Sequence, residues 1–270
     1  MSALPPRPVI GILHPGVMGA ALGSALKPVA GAVIWAAAAR SVPTSKRAET
    51  ADLVAVPDLA ELARRSHVIV SICPPHAALD VATQVARALA DRPDRPLYVD
   101  ANAVSPGTVA AIADLLGAGD VVDGSIIGPP AWERGSTVLW LSGARAEEVA
   151  QLFAHSPFDA RVLGADLGAA SALKACFGLQ SKAVPALWLT LAQAARAHGV
   201  EDALRDELAR DGIDYGARIS EVTARSSAKA WRWAGEMEEA ADAIAAVGLP
   251  DGFSRAAAQV YRAAGGPDRG

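Results

Sequence analysis

The chain has 270 residues, a formal net charge of −4 and two cysteines that stand far apart, Cys73 and Cys176. This length allows one large domain or two small ones. The mild acidity, without a long basic run, argues against nucleic acid as a partner, and the two cysteines argue against a disulfide framework or a bound metal. The N-terminus lacks the form of a signal peptide, and no apolar stretch reaches the ~20 residues of a membrane span. We therefore predict a cytoplasmic protein with no membrane partner.

Short apolar runs alternate with helical patterns in the first half of the chain. The candidate strands are Val9–Leu13, Ala32–Ala36, Val68–Ile72, Leu97–Asp100, Val121–Ile126 and Thr137–Leu141. The candidate helices are Met18–Leu26, Asp58–Arg65, Ala77–Ala90, Pro106–Leu116 and Glu147–Phe153. The strands are rich in Val and Ile without clean alternation, which is typical of a sheet covered by helices on both faces. We predict an α/β Rossmann domain with a doubly wound, mostly parallel sheet.

The second half of the chain contains no strand pattern and is dominated by helix-forming residues. Asp166–Ala197 is predicted to form one long helix, which Pro185 could kink. Three or four further helices are predicted within Glu201–Ala264, and the tail Gly265–Gly270 is predicted to be disordered. The predicted domains are the NAD(P)-binding Rossmann domain, residues 1–164, and an all-helical domain, residues 165–270.

The first candidate strand ends in a short turn, and a helix of small residues follows at once. A strand, turn and helix in this order open a dinucleotide-binding domain, because the helix N-terminus offers free N–H groups to a pyrophosphate. Gly16 would let the backbone approach the pyrophosphate, and Gly19 would let the helix pack closely on the strand. His14 stands where the first glycine of the usual motif belongs. The predicted contacts are His14, Pro15, Gly16, Val17 and Met18.

The residues after the second candidate strand predict the cofactor. Enzymes that use NAD usually place Asp or Glu there to bind the ribose, but this chain has Arg40 and Ser41, followed by polar and basic residues at 44–47. They form either a solvated basic loop or a site for a 2′-phosphate. We predict NADPH as the cofactor, with NADH as the alternative. Residues at the ends of later strands should border it, namely Cys73, Pro74, Pro75 and Asn102.

Five segments carry motifs in this order: GILHPGVMG, DANAVSP, VVDGSIIGPP, GAASALKACFG and KAWRWA. Together they resemble the β-hydroxyacid dehydrogenase family, which is related to 6-phosphogluconate dehydrogenase, in a branch with its own C-terminal helical domain. The resemblance implies that Lys174 is the catalytic proton donor and acceptor, and that Lys229 lies near the nicotinamide. From the residues alone, Lys174 could also be a surface lysine and Lys229 a paired residue on a helix.

The segment VVDGSIIGPP occupies the place of the family's substrate loop. Ile127 replaces the serine that holds the substrate carboxylate, and Gly178 replaces an asparagine one turn after the lysine. We therefore expect a small-molecule substrate that is less polar than a simple β-hydroxy acid. Trp132 would either cap the substrate pocket or serve as a packing anchor. The predicted substrate contacts are Ser125, Ile126, Ile127, Gly128, Trp132 and Gly178.

The segments VVDGSIIGPP and LGADLGAASAL also resemble imine reductases, which commonly carry Asp or Tyr where this chain has Lys174. A lysine favours alcohol and ketone chemistry. We therefore predict an NADPH-dependent oxidoreductase that acts on a small carbonyl or hydroxy compound. The alternatives are an imine reductase and a non-catalytic NADP-binding scaffold. A helix of ~30 residues would be ~45 Å long and, because such helices pack two subunits in this family, predicts a homodimer.

Overall fold

The computed structural model describes residues 3–90, 92, 94–226 and 229–265. The chain divides into two compact units between Lys174 and Ala175. Residues 266–270 of the predicted disordered tail lie outside the described residues. No helix within the described ranges is long and apolar enough to cross a membrane.

The first unit is built on an eight-stranded sheet with the order β3-β2-β1-β4-β5-β6-β7-β8. The strands are β1 Val9–Ile12, β2 Ala32–Ala36, β3 Val54–Val56, β4 Val68–Ser71, β5 Leu97–Asp100, β6 Val121–Ile127, β7 Val138–Ser142 and β8 Asp159–Gly164. The first six strands are parallel, β7 runs antiparallel to β6, and β8 is parallel to β7. The strand order reverses between β1 and β4, as in doubly wound dinucleotide-binding sheets. The predicted fold class is confirmed.

Helices connect these strands. They are α1 Val17–Leu26, α2 Val42–Thr50, α3 Leu59–Arg65, α4 Ala78–Ala88, α5 Pro106–Leu116 and α6 Ala146–Leu152. Side-chain caps begin two of them, since Asp58 accepts a hydrogen bond from the Glu61 N–H, and Ser105 accepts one from the Thr108 N–H. Buried side chains form a separate hydrophobic cluster on each face of the sheet. The carboxyl ends of the parallel strands therefore lie along one edge of a rigid platform.

Three elements of this unit differ from the sequence prediction. The loop predicted after β2 is wrong, because residues 42–50 form α2, with Pro43 in its first turn and Ala48 buried against the sheet. Strands β3 and β8 were not predicted. They are the two edge strands, and most of their residues are partly or fully exposed, so they lack the apolar pattern of the central strands.

The helices from Ala169 onward are α7 Ala169–Gly178, a π-helical turn at Leu179–Ala183, α8 Val184–Ala197, α9 Glu201–Arg210, α10 Tyr215–Ser226, α11 Ala230–Ala246 and α12 Gly252–Gly265. The predicted long helix thus begins at Ala169 rather than Asp166. Pro185 lies in the first turn of α8, directly after the π-helical turn. A proline has no N–H to offer the preceding turn, which explains a local change of helical pitch here.

The core of the second unit is formed mainly by alanines together with a few large side chains. Met237 and Tyr261 are fully buried, and the rings of Trp233 and Tyr261 pack edge to face with centroids 5.3 Å apart. The Tyr261 hydroxyl donates a 2.7 Å hydrogen bond to the carbonyl oxygen of Lys182. The small alanine side chains allow close packing between helices, as the composition of this half indicates.

Candidate functional site

The turn between β1 and α1 leads directly into the N-terminus of a helix. The Gly16 N–H donates to the His14 carbonyl at 2.8 Å, and α1 starts at Val17 with Gly16 as its extended N-cap. A Cβ on Gly19 would come within 2.1 Å of the His14 carbonyl oxygen, whereas a Cβ on Gly16 would meet nothing within 4 Å. Gly19 is therefore required by packing, and the space beside Gly16 is available to a ligand. Pro15 is buried, and Met18 is half-buried.

His14 is half-buried, and its Nδ1 atom is buried with no hydrogen-bond partner among the described residues. Burial, assisted by the positive charge of Arg40, lowers the pKa of His14 to about 4. The imidazole is therefore neutral near pH 7. It can form a hydrogen bond with a ligand at this turn, but it brings no positive charge to a phosphate.

Arg40 joins the ends of β1 and β2. Its guanidinium donates to the Leu13 carbonyl at 3.0 Å and to the Ala36 carbonyl at 3.4 Å. Ala39, the residue before it, adopts a positive φ of 58°, which turns the chain between β2 and Arg40. Ser41 follows as the exposed N-cap residue of α2. The structure thus places Arg40 and Ser41 at the carboxyl edge of the sheet, next to the turn that holds His14.

Asn102 connects the ends of β4 and β5. Its Oδ1 atom accepts the Cys73 N–H at 2.6 Å, while its Nδ2 atom donates to Asp100 at 2.8 Å and to Ser71 at 3.1 Å. Pro74 follows Cys73 and leads into a short 3₁₀ turn that begins at the next proline, Pro75. All these residues lie at the edge of the sheet where cofactors bind in this type of fold.

The surroundings of Cys73 disfavour the thiolate form that acts as a nucleophile. Burial, together with the negative charge of Asp100, raises the pKa of Cys73 to about 12. The side chain therefore stays a neutral thiol at physiological pH, an environment that suits a packed small side chain.

Lys174 lies beside the end of β6. Its Nζ atom donates a 3.0 Å hydrogen bond to the Ile126 carbonyl. The chain then turns at Gly128, which has a φ of 135°, into an exposed loop in which half of the Trp132 surface is accessible. Ser125 is fully buried, and its hydroxyl has no hydrogen-bond partner within the described part of the chain. The structure thus brings the predicted catalytic lysine and the predicted substrate loop together.

The sequence reasoning missed Asp123, which lies three residues before Ile126 on β6. Its carboxylate accepts hydrogen bonds from the Ser171 N–H at 2.9 Å, the Ser171 hydroxyl at 2.7 Å and the Ser142 hydroxyl at 3.0 Å. The Ser142 hydroxyl in turn accepts the Ala170 N–H at 3.1 Å. Burial raises the pKa of Asp123 above its ordinary value, and the bonds from Ser171 and Ser142 oppose that rise. The only sequence signal was its position in VVDGSIIGPP.

The remaining predicted site residues belong to the second unit. Gly178 is the last residue of α7 and is buried. Lys229 is the exposed N-cap residue of α11, and its N–H donates to the Ser226 carbonyl at 2.9 Å. Their predicted contacts with substrate and nicotinamide therefore stay predictions.

The ends of the strands in the first unit fit a dinucleotide. The open space at Gly16 and the N-terminus of α1 suit a pyrophosphate. Arg40 is the cation at the end of β2, where the adenosine ribose lies in this type of fold. The groups that could hold a dinucleotide and the Lys174 ammonium thus lie at the same edge of the sheet.

Comparison with known sequences gives partial matches. Residues 195–264 match a family model described as a domain of unknown function, DUF1932. An uncharacterized 28.5 kDa protein from the 7S RNA 5′ region of Methanothermus fervidus is 28% identical over 169 residues. That match covers 63% of this chain and 64% of the relative, so it spans less than two thirds of that protein.

Solved structures match nearly the whole chain. A conserved hypothetical protein from Sinorhizobium meliloti is 26% identical with a TM-score of 0.69, covering 97% of this chain and 90% of its own. The conserved protein MTH1747, described as structurally similar to 3-hydroxyacid dehydrogenases, is also 26% identical, with a TM-score of 0.66 and coverage of 94% and 97%.

The fold also extends to enzymes of lower identity. A 3-hydroxyisobutyrate dehydrogenase from Mycobacterium tuberculosis is 18% identical with a TM-score of 0.65, covering 95% of this chain and 93% of its own. An imine reductase from Myxococcus stipitatus is 22% identical with a TM-score of 0.51 and coverage of 96% and 93%. The chain therefore has the fold of the 3-hydroxyacid dehydrogenases and the imine reductases, which confirms the resemblance that its sequence motifs indicate.

Proposed function

We propose that the protein is an oxidoreductase that transfers hydride between NADPH and a small carbonyl or hydroxy compound, with Lys174 as the proton donor and acceptor. The observation that carries this proposal is the position of the Lys174 ammonium, 3.0 Å from the Ile126 carbonyl at the carboxyl end of β6. The fold supports it, because ligands of open α/β sheets bind at this edge. Two structures that share the fold, an imine reductase and a reductive aminase, are complexes with NAD+ and NADPH.

The dinucleotide would be held by residues at four strand ends. The turn His14–Met18 would bind the pyrophosphate through backbone N–H groups at the start of α1. Arg40 and Ser41 would bind the 2′-phosphate, for which a guanidinium and a hydroxyl are suitable donors. Residues at 73–75 and Asn102 would form the adjoining wall. The bound nicotinamide would supply the hydride, while the protein supplies orientation and control of the proton.

Lys174 would handle the proton. Its ammonium can donate a proton to a carbonyl oxygen as hydride reaches the carbonyl carbon, and in the reverse direction the neutral amine can accept the hydroxyl proton. The hydrogen bond to Ile126 holds one N–H of the ammonium, and it therefore restricts where the nitrogen lies. A fixed proton donor of this kind serves a reaction in both directions.

The loop after β6 favours a substrate of low polarity. Ile127 is a half-buried hydrocarbon side chain where the family has a carboxylate-binding serine, and the prolines at 129 and 130 have no N–H to donate. The Thr137 hydroxyl donates to the Pro129 carbonyl at 2.6 Å. Trp132, in the same loop, is 51% exposed and offers an apolar surface. We therefore propose a ketone or aldehyde without a carboxylate as the substrate.

A first experiment is calorimetric titration of the purified protein with NADPH and, separately, with NADH. We expect tight binding of NADPH and weaker binding of NADH. Ketones, aldehydes and cyclic imines are then screened by following NADPH oxidation. Turnover of imines alone would indicate an imine reductase, binding without any turnover would indicate a scaffold, and failure to bind either dinucleotide would refute the proposal.

The matched variants are Lys174→Ala and Lys27→Ala, of which the second removes a lysine that is paired with Asp52 on the surface. We expect Lys174→Ala to lower kcat by roughly 10²- to 10⁴-fold with the affinity for NADPH unchanged. Lys27→Ala should leave kcat as it is. Unchanged turnover in Lys174→Ala would remove the lysine from the mechanism.

We also propose that the protein is a homodimer. Val184 and Leu187 are 43% and 63% exposed on α8, and their spacing of three residues puts them on one face of that helix. Two such faces could pair between subunits. Light scattering at micromolar concentration should give twice the mass of 27.6 kDa, and a monomer mass would contradict this proposal.

A further inference from the structure

We propose that Asp123 is a positioning residue for Lys174, an inference that rests on the proposed role of this lysine. Asp123 lies on β6, and Ser171 lies three residues before Lys174 on α7. The Asp123 carboxylate holds both the N–H and the hydroxyl of Ser171, at 2.9 Å and 2.7 Å. Three residues further along the same strand, the Ile126 carbonyl accepts the hydrogen bond of Lys174. The part of α7 that belongs to the first unit, residues 169–174, is thus attached to β6 at two points, and Lys174 makes the second.

The spacing of these two points determines where the Lys174 nitrogen lies. Three residues advance ~10 Å along a strand but only ~4.5 Å along a helix. The four-carbon stem of Lys174 spans the difference, which places its Nζ atom beside the end of β6. A slip of the helix by one residue would move the lysine by ~1.5 Å, enough to break a 3.0 Å hydrogen bond. The attachment at Asp123 prevents that slip.

Ser142 makes the first attachment more rigid. It lies opposite Asp123 on β7, donates its hydroxyl to the carboxylate and accepts the N–H of Ala170. Two N–H groups of the first turn of α7, those of Ala170 and Ser171, are therefore bound directly or indirectly by Asp123. Such groups have no partner within the helix itself, and a carboxylate at a helix N-terminus also interacts favourably with the helix dipole. Since all three side chains are fully buried, water cannot replace these bonds.

The test uses NMR of the apoprotein labelled with ¹³C at the lysine ε-carbon, which requires neither cofactor nor substrate. The sequence has five lysines, at positions 27, 46, 174, 182 and 229, so their signals can be separated, and Lys174→Arg identifies the signal of Lys174. The variants are Asp123→Asn, Ser142→Ala and Ser171→Ala. The control is Ser66→Ala, which removes an equally buried serine hydroxyl that donates to Leu62 elsewhere in the same unit.

We expect Asp123→Asn to move the Lys174 signal and to shift its titration midpoint by ~0.5 pH unit or more. Ser142→Ala and Ser171→Ala should move the same signal, and because neither change removes a charge, their shifts report the position of the lysine. The signals of Lys27 and Lys46 should stay in place in every variant. If Asp123→Asn does not fold, the Lys174 signals of Ser142→Ala and Ser171→Ala test the proposal.

The proposal is overturned if the Lys174 signal of these variants superimposes on that of the wild type, or if Ser66→Ala moves it equally. If no substrate is ever turned over but the signal moves as expected, the positioning role stands and only the proposed function fails. For an active enzyme, Ser142→Ala should shift the pH profile of kcat, which a purely structural role would leave in place.

Discussion

Gly19 lies against the backbone of His14, so that a Cβ at position 19 would come within 2.1 Å of the His14 carbonyl oxygen. The start of α1 and the end of β1 are in direct contact at this point. Gly16, three residues earlier, has an ordinary φ of −66° and open space around its missing side chain. Gly16 at the N-cap of α1 and Gly19 inside that helix therefore have different physical roles.

Gly19→Ala and Gly16→Ala should separate these roles. We expect Gly19→Ala to destabilise the protein by ~1–3 kcal/mol, because the new methyl group forces the helix away from the strand. Gly16→Ala should leave stability within ~0.5 kcal/mol of the wild type and weaken NADPH binding, because the methyl group occupies space proposed for the pyrophosphate. Urea unfolding and calorimetry measure the two effects. Unchanged affinity in Gly16→Ala would place the phosphates elsewhere.

Arg40→Gln should reduce the preference for NADPH. A charge-assisted hydrogen bond to a phosphate contributes ~1.5–3 kcal/mol, so we expect NADPH affinity to fall by roughly 10- to 100-fold while NADH affinity changes little. Arg64→Gln, at an exposed arginine paired with Glu61 on α3, is the control and should change neither affinity. An equal loss for both dinucleotides would mean that Arg40 acts only through its bonds to Leu13 and Ala36.

His14 should make stability depend on pH. Its pKa is about 4 in the folded protein against an ordinary value of 6.5. Between these values the unfolded chain binds a proton that the folded chain does not, so stability falls as the pH is lowered through this window. The expected loss is about 2 kcal/mol between pH 7 and pH 5. His14→Gln should lack this component, so its urea-unfolding curve should show a smaller difference between the two pH values. An identical pH dependence in both proteins would show that folding does not lower the pKa of His14.

The two cysteines should differ in reactivity. Because burial raises the pKa of Cys73 to about 12, the thiolate that attacks disulfide reagents is nearly absent at pH 8. Cys176 is exposed on α7. We expect one thiol per chain to react rapidly with Ellman's reagent in the folded protein and both to react in denaturant. Cys176→Ser should abolish the rapid reaction and Cys73→Ser should retain it, whereas the reverse pattern would contradict the environment described for Cys73.

The central part of the fold could be predicted because its residues carry a local signal. Strands β1, β2, β4 and β5 are largely buried and mostly apolar, and the equally buried β6 is apolar at both ends, as is usual for strands covered on both faces. The edge strands are different, since β3 has three residues, two of them exposed, and β8 is largely exposed. Helix α2 consists mostly of polar residues, and one buried alanine, Ala48, decides its packing. Contacts made in the folded state, rather than local pattern, determine these elements.

Parts of the candidate site could also be predicted, because they too carry a local sequence signal. The turn before α1 and the lysine of α7 stand in motifs that are recognisable in the sequence alone. Asp123 also stands in a recognisable segment, VVDGSIIGPP, but the sequence does not reveal its contacts, because its partner Ser171 is 48 residues away and becomes its neighbour only when the start of α7 packs on the sheet. The displaced start of the long helix has a related origin, since Ser142 and Asp123 bind the N–H groups of Ala170 and Ser171.

The bridge made by Asn102 has a mechanical consequence. One buried amide binds the chain after β4 to the end of β5, and we therefore expect these two segments to move together. We expect larger motions at this edge of the sheet in other loops, such as the exposed segment around Trp132. The Cys73 amide lies outside regular structure, yet it should exchange with deuterium as slowly as amides in the middle of the sheet.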